Sequence, residues 1–124
     1  MAKLTGRIVS GFDEGAFFMR KYESRIKAAT GFSFFPGTLN IECEVTEAGR
    51  FLEGALGVKI AGFEEEGRYF GGITLYPVKA NGIGGFVIKP EKNKYDDSIV
   101  EVIAAVNLKQ KLGLKNGDSI ELER

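Results

Sequence analysis

The dipeptide Asn81-Gly82 lies between two strand-like runs, Tyr69 to Lys79 and Gly84 to Lys89. Asn-Gly is a strong signal for a two-residue hairpin, because both central residues of a type I′ turn take a positive φ that asparagine and glycine tolerate. The pair commits the middle of the chain to antiparallel sheet. Other segments carry the same period of two. In Thr38 to Val45, residues Leu39, Ile41, Cys43 and Val45 share one face, and Thr38, Asn40, Glu42 and Glu44 share the other. Lys3 to Ser10, Val58 to Phe63 and Ile99 to Ala105 are further strand candidates, and Ser119 to Glu123 follows the turn Asn116-Gly117-Asp118. So many short strands with short connections favour a closed or nearly closed barrel, which also removes exposed edges.

Two segments break the pattern. Ala16 to Ala29 reads as a helix, with Phe18, Tyr22, Ile26 and Ala29 on one stripe and Arg20, Lys21, Glu23, Arg25 and Lys27 over most of the remaining surface. Gly31 is suited to end it. Asn107 can cap a short second helix, Leu108 to Leu112, with Gly113 just past its end.

A length of 124 residues suits one domain spanning 1–124, large enough to hold a core without disulfides or a structural metal. The absence of histidine excludes a Ser-His-Asp triad, a Cys-His pair and any His-ligated metal, so a base must be Asp, Glu, Lys or Tyr. The single cysteine, Cys43, excludes an intrachain disulfide and fits a reducing compartment. Seventeen Lys and Arg offset seventeen Asp and Glu, which argues against broad electrostatic binding of nucleic acid. Met1-Ala2-Lys3-Leu4 does not resemble a signal peptide, and the longest apolar run, Val102 to Val106, is too short to span a bilayer. The expectation is a cytoplasmic protein with no membrane partner; the oligomeric state is not legible, and a monomer is consistent with the sequence.

Four places can carry chemistry. Gly11-Phe12-Asp13-Glu14-Gly15 joins a strand to a helix, where glycines admit a ligand to the backbone and the helix N-terminus favours a phosphate; a pair of glycines is weak evidence by itself, and from the residues alone a tight turn with Asp13 or Glu14 as the capping carboxylate is the readier reading. In Pro36-Gly37-Thr38-Leu39-Asn40, Thr38 and Asn40 point the same way with Cα atoms about 6–7 Å apart. A hydroxyl and an amide oxygen at that spacing can reach one hard cation such as Mg2+, or can merely begin a solvent-facing strand. Glu101 sits between Ile99 and Ile103 on its own face, with Val100, Val102 and Ala104 opposite. A carboxylate there is costly to bury unless paired or functional, and partial desolvation suits a general base; the alternative is an acid at a barrel rim or one paired with lysine. Asn107-Leu108-Lys109 can meet an anion or a base edge, or can be only a cap and a solvated lysine.

Taken in order, Gly-Phe-Asp-Glu-Gly-Ala-Phe-Phe, Gly31-Phe32, Pro-Gly-Thr-Leu-Asn, the run Ile99-Val-Glu-Val-Ile-Ala and Leu114-Lys-Asn-Gly-Asp118 resemble the archaeal CTP-dependent riboflavin kinases over essentially the whole chain. The resemblance implies a mainly β fold, a six-stranded closed cradle-loop barrel with one longer and one short α-helix. It implies Mg-dependent conversion of riboflavin and CTP to FMN and CDP. By the same resemblance Phe12, Asp13, Glu14, Gly15, Ala16 and Phe17 would line the nucleotide, as would Val106, Asn107, Leu108 and Lys109. Thr38 and Asn40 would bind Mg2+. Glu101 would meet the ribityl end of the flavin as the base, and Asn93 would contact the flavin where the family can carry threonine. The loop departs from the family's frequent Gly-Glu-Gly-Arg, reading Asp13-Glu14-Gly15-Ala16 here, which removes a glycine and an arginine. Related small barrels include DNA-binding transcription factors, whose signature would be the basic helix surface of Arg20, Lys21, Arg25 and Lys27. A flavin or nucleotide carrier without kinase activity is the third reading.

Overall fold

A computed structural model describes residues 2–11, 15–91 and 98–124, the side chains of residues 15–17 excepted. The elements in chain order are β1 (Lys3–Val9), α1 (Gly15–Thr30), β2 (Leu39–Glu42), α2 (Val45–Leu52), β3 (Val58–Ile60), β4 (Phe63–Glu65), β5 (Arg68–Phe70), β6 (Ile73–Ala80), β7 (Ile83–Pro90), β8 (Ile99–Ala104), α3 (Leu108–Leu112) and β9 (Ser119–Glu123). The strands pair antiparallel in the order β6-β7-β8-β2-β1-β9, and β9 returns to β6 through Lys79–Glu123 and Ala80–Leu122. Six strands thus close a barrel, as expected. β3 adds to the first half of β6, and β4 and β5 form a separate hairpin.

The Asn81-Gly82 turn takes the expected positive φ at both positions, 42° and 87°. Asn81 also helps to close the barrel. Its backbone N–H donates to Glu121 O, and its Oδ1 accepts from the Glu121 N–H, both at 2.9 Å.

The alternation of the strands sorts side chains into two cores. Leu4, Ile8, Leu39, Ile41, Val78, Val87, Val100, Val102, Ile120 and Leu122 fill the barrel interior. Outside the wall, Ile73, Leu75, Ile88 and Ile103 meet Met19, Tyr22 and Ile26 of α1. The buried stripe of α1 therefore includes Met19, with Phe18 partly covered, while Ala29, expected to extend it, is exposed. Gly31 ends the helix as expected, with φ 72° and its N–H donating to Lys27 O at 2.8 Å.

The β4–β5 hairpin grips α1 from the far side. Tyr22 Oη donates to Gly71 O at 2.8 Å, Lys21 Nζ lies 3.3 Å from Glu65 Oε1, and the Arg25 guanidinium stacks 3.6 Å over the Phe63 ring. Lys27 Nζ turns back to Gly31 O at 3.2 Å. Three of the four basic residues on the helix are therefore engaged within the fold, which weakens the case for that surface as a DNA contact.

One expected element changes type. The strand anticipated over Thr38 to Val45 stops at Glu42, and Val45 opens α2. Glu44 is its cap, accepting from the Thr46 N–H, and the helix buries Ala48 and Phe51. Its far end is held by Arg124, whose guanidinium donates to Phe51 O and Glu53 O. The apolar alternation continues as far as Val45, which is exposed as the first helical residue. The expected Tyr69–Lys79 and Val58–Phe63 strands are each interrupted, the first at Gly71-Gly72 and the second at Ala61-Gly62.

Candidate active site at the mouth of the barrel

β1 and β8 end, and β2 begins, at one mouth of the barrel. The register there sets Val9 opposite Asn40, Asn40 opposite Glu101, and Glu101 opposite Ile88. Residues directly opposite in an antiparallel pair share a face. Asn40 and Glu101 therefore stand side by side on the outer wall, while Leu39, Val100 and Val102 hold the same strands from within. Pro36-Gly37 leads into β2, and Thr38 just before it donates its hydroxyl to Glu101 Oε1 at 3.3 Å. The fold brings together the Thr38–Asn40 pair and Glu101, which the sequence singled out as separate features.

Asn40 is buried, 6% exposed, and is the one buried polar residue among those described. Its Oδ1 has no hydrogen-bond partner among the described residues. An acceptor left unmet in this way costs about 1–3 kcal/mol. Such an atom persists where a ligand completes it. A hard cation suits the set, because the Asn40 amide oxygen, the Thr38 hydroxyl lone pairs and a carboxylate next to them are all oxygen donors.

A cleft of about 170 Å3 opens beside Thr38 and Asn40, with Glu101 behind them and not in its lining. Thr38 and Asn40 line it, with Ser10 and Gly11 just after β1. Val106, Asn107, Leu108 and Lys109 line it as well. The Asn107 side chain caps α3, accepting from the Gln110 N–H at 3.2 Å, so the cap reading holds while the residue still lines the cleft. Lys109 Nζ donates to Asn116 Oδ1 at 2.6 Å, and Asn116 Nδ2 donates to Ser10 Oγ at 2.7 Å. This chain ties α3 to the entry of the glycine loop. The expected loop contacts Phe12, Asp13 and Glu14 and the flavin contact Asn93 lie outside the described residues, as do the side chains of Ala16 and Phe17; Gly15 is described as the first residue of α1.

Sequence reasoning missed Phe35, which lines the same cleft and is 42% exposed. Its signal was an aromatic immediately before Pro36-Gly37, in a connection otherwise read only for its turn residues.

Fold and site together define a class: small closed antiparallel β-barrels with a candidate ligand cleft at one barrel mouth, lined by strand ends and a helix start. The family model CTP-dep_RFKase, described as Domain of unknown function DUF120, matches residues 8–123. Proteins named riboflavin kinase from Pyrobaculum aerophilum, Thermococcus kodakarensis and Archaeoglobus fulgidus are 39%, 39% and 37% identical over 98%, 97% and 98% of this chain. The alignments cover 60%, 57% and 54% of those relatives, so the chain spans rather more than half the length of the curated relatives it matches. The chain belongs to the CTP-dependent riboflavin kinase family.

Proposed function

We propose that this domain transfers the γ-phosphoryl group of CTP to the terminal ribityl hydroxyl of riboflavin, giving FMN and CDP. The observation that carries the reading is the buried Asn40 Oδ1, without a hydrogen-bond partner among the described residues, beside Glu101, inside a chain of this family. Thr38 Oγ1 and Asn40 Oδ1 are the atoms that would hold Mg2+ against the nucleotide's phosphates. When bound, the ion supplies charge neutralisation at the phosphoryl oxygens.

Glu101 takes the proton of the ribityl hydroxyl, whose oxygen forms the new bond to the γ-phosphorus as the bond to the β–γ bridging oxygen breaks. The Thr38 hydroxyl bonds to Oε1 and orients the carboxylate for that proton. Val106, Asn107, Leu108 and Lys109 flank the nucleotide from α3. By the family resemblance, Phe12 to Phe17 would line the nucleotide and Asn93 would contact the flavin; these positions lie outside the described residues, residues 15–17 in their side chains only. Positioning and electrostatics, rather than covalent chemistry, supply most of the acceleration. The one buried thiol, Cys43, fits a reducing, cytoplasmic setting.

The test is FMN formation, followed by chromatography, with riboflavin and Mg2+ and with CTP, ATP, GTP or UTP in parallel. FMN forming fastest with CTP and lost with EDTA is the expected result. FMN from another nucleotide overturns the CTP assignment, and no FMN from folded protein overturns the kinase reading.

A further inference from the structure

Phe35 and Val106 are two of only a few large apolar side chains exposed among the described residues, at 42% and 38%. Both line the cleft that also contains Thr38 and Asn40. They are held together by the backbone: the Phe35 N–H donates to Ala104 O at 2.7 Å, pinning the connection before β2 to the end of β8, two residues before Val106. An exposed aromatic at a fixed position in a concave site is a contact surface for a ligand. The lining of the cleft thus combines exposed apolar side chains, Phe35 and Val106, with the oxygen donors of Thr38 and Asn40. A ligand with a planar ring at one end and a polyphosphate at the other satisfies both.

We propose that Phe35 is a substrate-contacting residue of the donor site, packing against the base of the nucleotide beside Val106. The proposal rests on the kinase reading and extends it to a residue outside the motifs that suggested that reading. Every base presents a π-face, so the contact adds affinity without choosing among bases. Selection of cytosine falls to polar groups elsewhere in the cleft.

The experiment compares wild type with Phe35→Ala, Phe35→Tyr and Val106→Asp in FMN formation, with the other substrate saturating. Expected for Phe35→Ala are a rise of about tenfold in KM for CTP and the same factor for UTP, a KM for riboflavin within twofold of wild type, and recovery in Phe35→Tyr. Inhibition by inorganic tripolyphosphate, which has no base, should be unchanged. Val106→Asp, at an exposed position, should raise the CTP KM without loss of fold.

An unchanged CTP KM in active Phe35→Ala overturns the proposal, as does a rise confined to riboflavin, which would give the ring to the acceptor. If wild type forms no FMN, the kinase reading falls separately. CDP binding by calorimetry then decides the platform: about tenfold weaker binding to Phe35→Ala upholds it, and equal binding ends it.

Discussion

Asn40 and Glu101 sit directly opposite each other across the β2–β8 pair, one an amide oxygen without a partner among the described residues and the other a carboxylate bonded by the Thr38 hydroxyl. Cross-strand register, a property of the whole barrel, sets their separation. Their division of labour follows from chemistry. An amide oxygen cannot accept a proton at neutral pH but can ligate a cation; a carboxylate can do either.

Glu101→Gln keeps the shape and the hydrogen bond from Thr38 but removes the base. Turnover should fall by about 100-fold or more, the range that general-base removal produces. The riboflavin KM should stay within about threefold. Steady-state kinetics with each substrate varied checks this, and full activity in the variant would remove Glu101 from the base role.

Asn40 sets function against stability. Replacing it with leucine, similar in volume, removes a buried unmet acceptor that costs about 1–3 kcal/mol. The thermal midpoint in EDTA should hold or rise by a few degrees. Magnesium should raise the midpoint of wild type by mass action when CDP is present, and this increment should vanish in Asn40→Leu together with activity. Differential scanning fluorimetry with and without Mg2+ reads both effects. A variant that loses stability in EDTA would show that Asn40 has a structural partner.

The barrel was legible because its signals were local. Asn81-Gly82 announced its hairpin, Asn107 and Gly113 bounded α3, and Gly31 closed α1, each by a backbone requirement that few residues meet. Helix α2 was not legible, because Leu39, Ile41, Cys43 and Val45 keep a period of two past the point where the chain turns helical. Its cap, Glu44, is also outside the residues most favoured there. The Thr38–Asn40 pair and, apart from it, Glu101 could be chosen from the sequence. Their convergence could not, since 61 positions separate Asn40 from Glu101 and only the β2–β8 register closes that gap. Phe35 was missed because exposure is a tertiary property.

Cys43 should be inert in the native protein. Burial, then the Glu42 and Glu47 carboxylates, push its thiol up to about 11. An unfolded chain's thiol titrates at about 8.5, so between those values the folded state keeps a proton that the unfolded state has released. The thiol's contribution to stability is fully present below about 8.5 and is lost as pH rises toward about 11. At pH 8 a thiol of that pKa is only about 0.1% thiolate, so an aromatic disulfide reagent should react about 100-fold faster in denaturant than with native protein. Equal rates would place the thiol at the surface.

Adjacent glycines in β7 make a sharper test of the strand pair that carries Glu101. A Cβ on Gly85 would press into the Ile103 carbonyl oxygen of β8, whereas a Cβ on Gly84 would meet nothing within 4 Å. Gly85 is paired with Ala104, three residues from Glu101 on the same strand. Gly85→Ala must therefore push β7 from β8, costing about 1–3 kcal/mol as other overpacked sites do. It should also displace the Glu101 carboxylate, so its kcat falls even at temperatures where the protein stays folded. Gly84→Ala faces no such obstacle and limits the unfolded chain, so it should be neutral or stabilising by up to about 1 kcal/mol with activity unchanged. Urea unfolding and kcat measured on both variants separate the two cases. Equal stability of the pair would mean that β7 and β8 can part without strain, and that Glu101 is positioned by β2 alone.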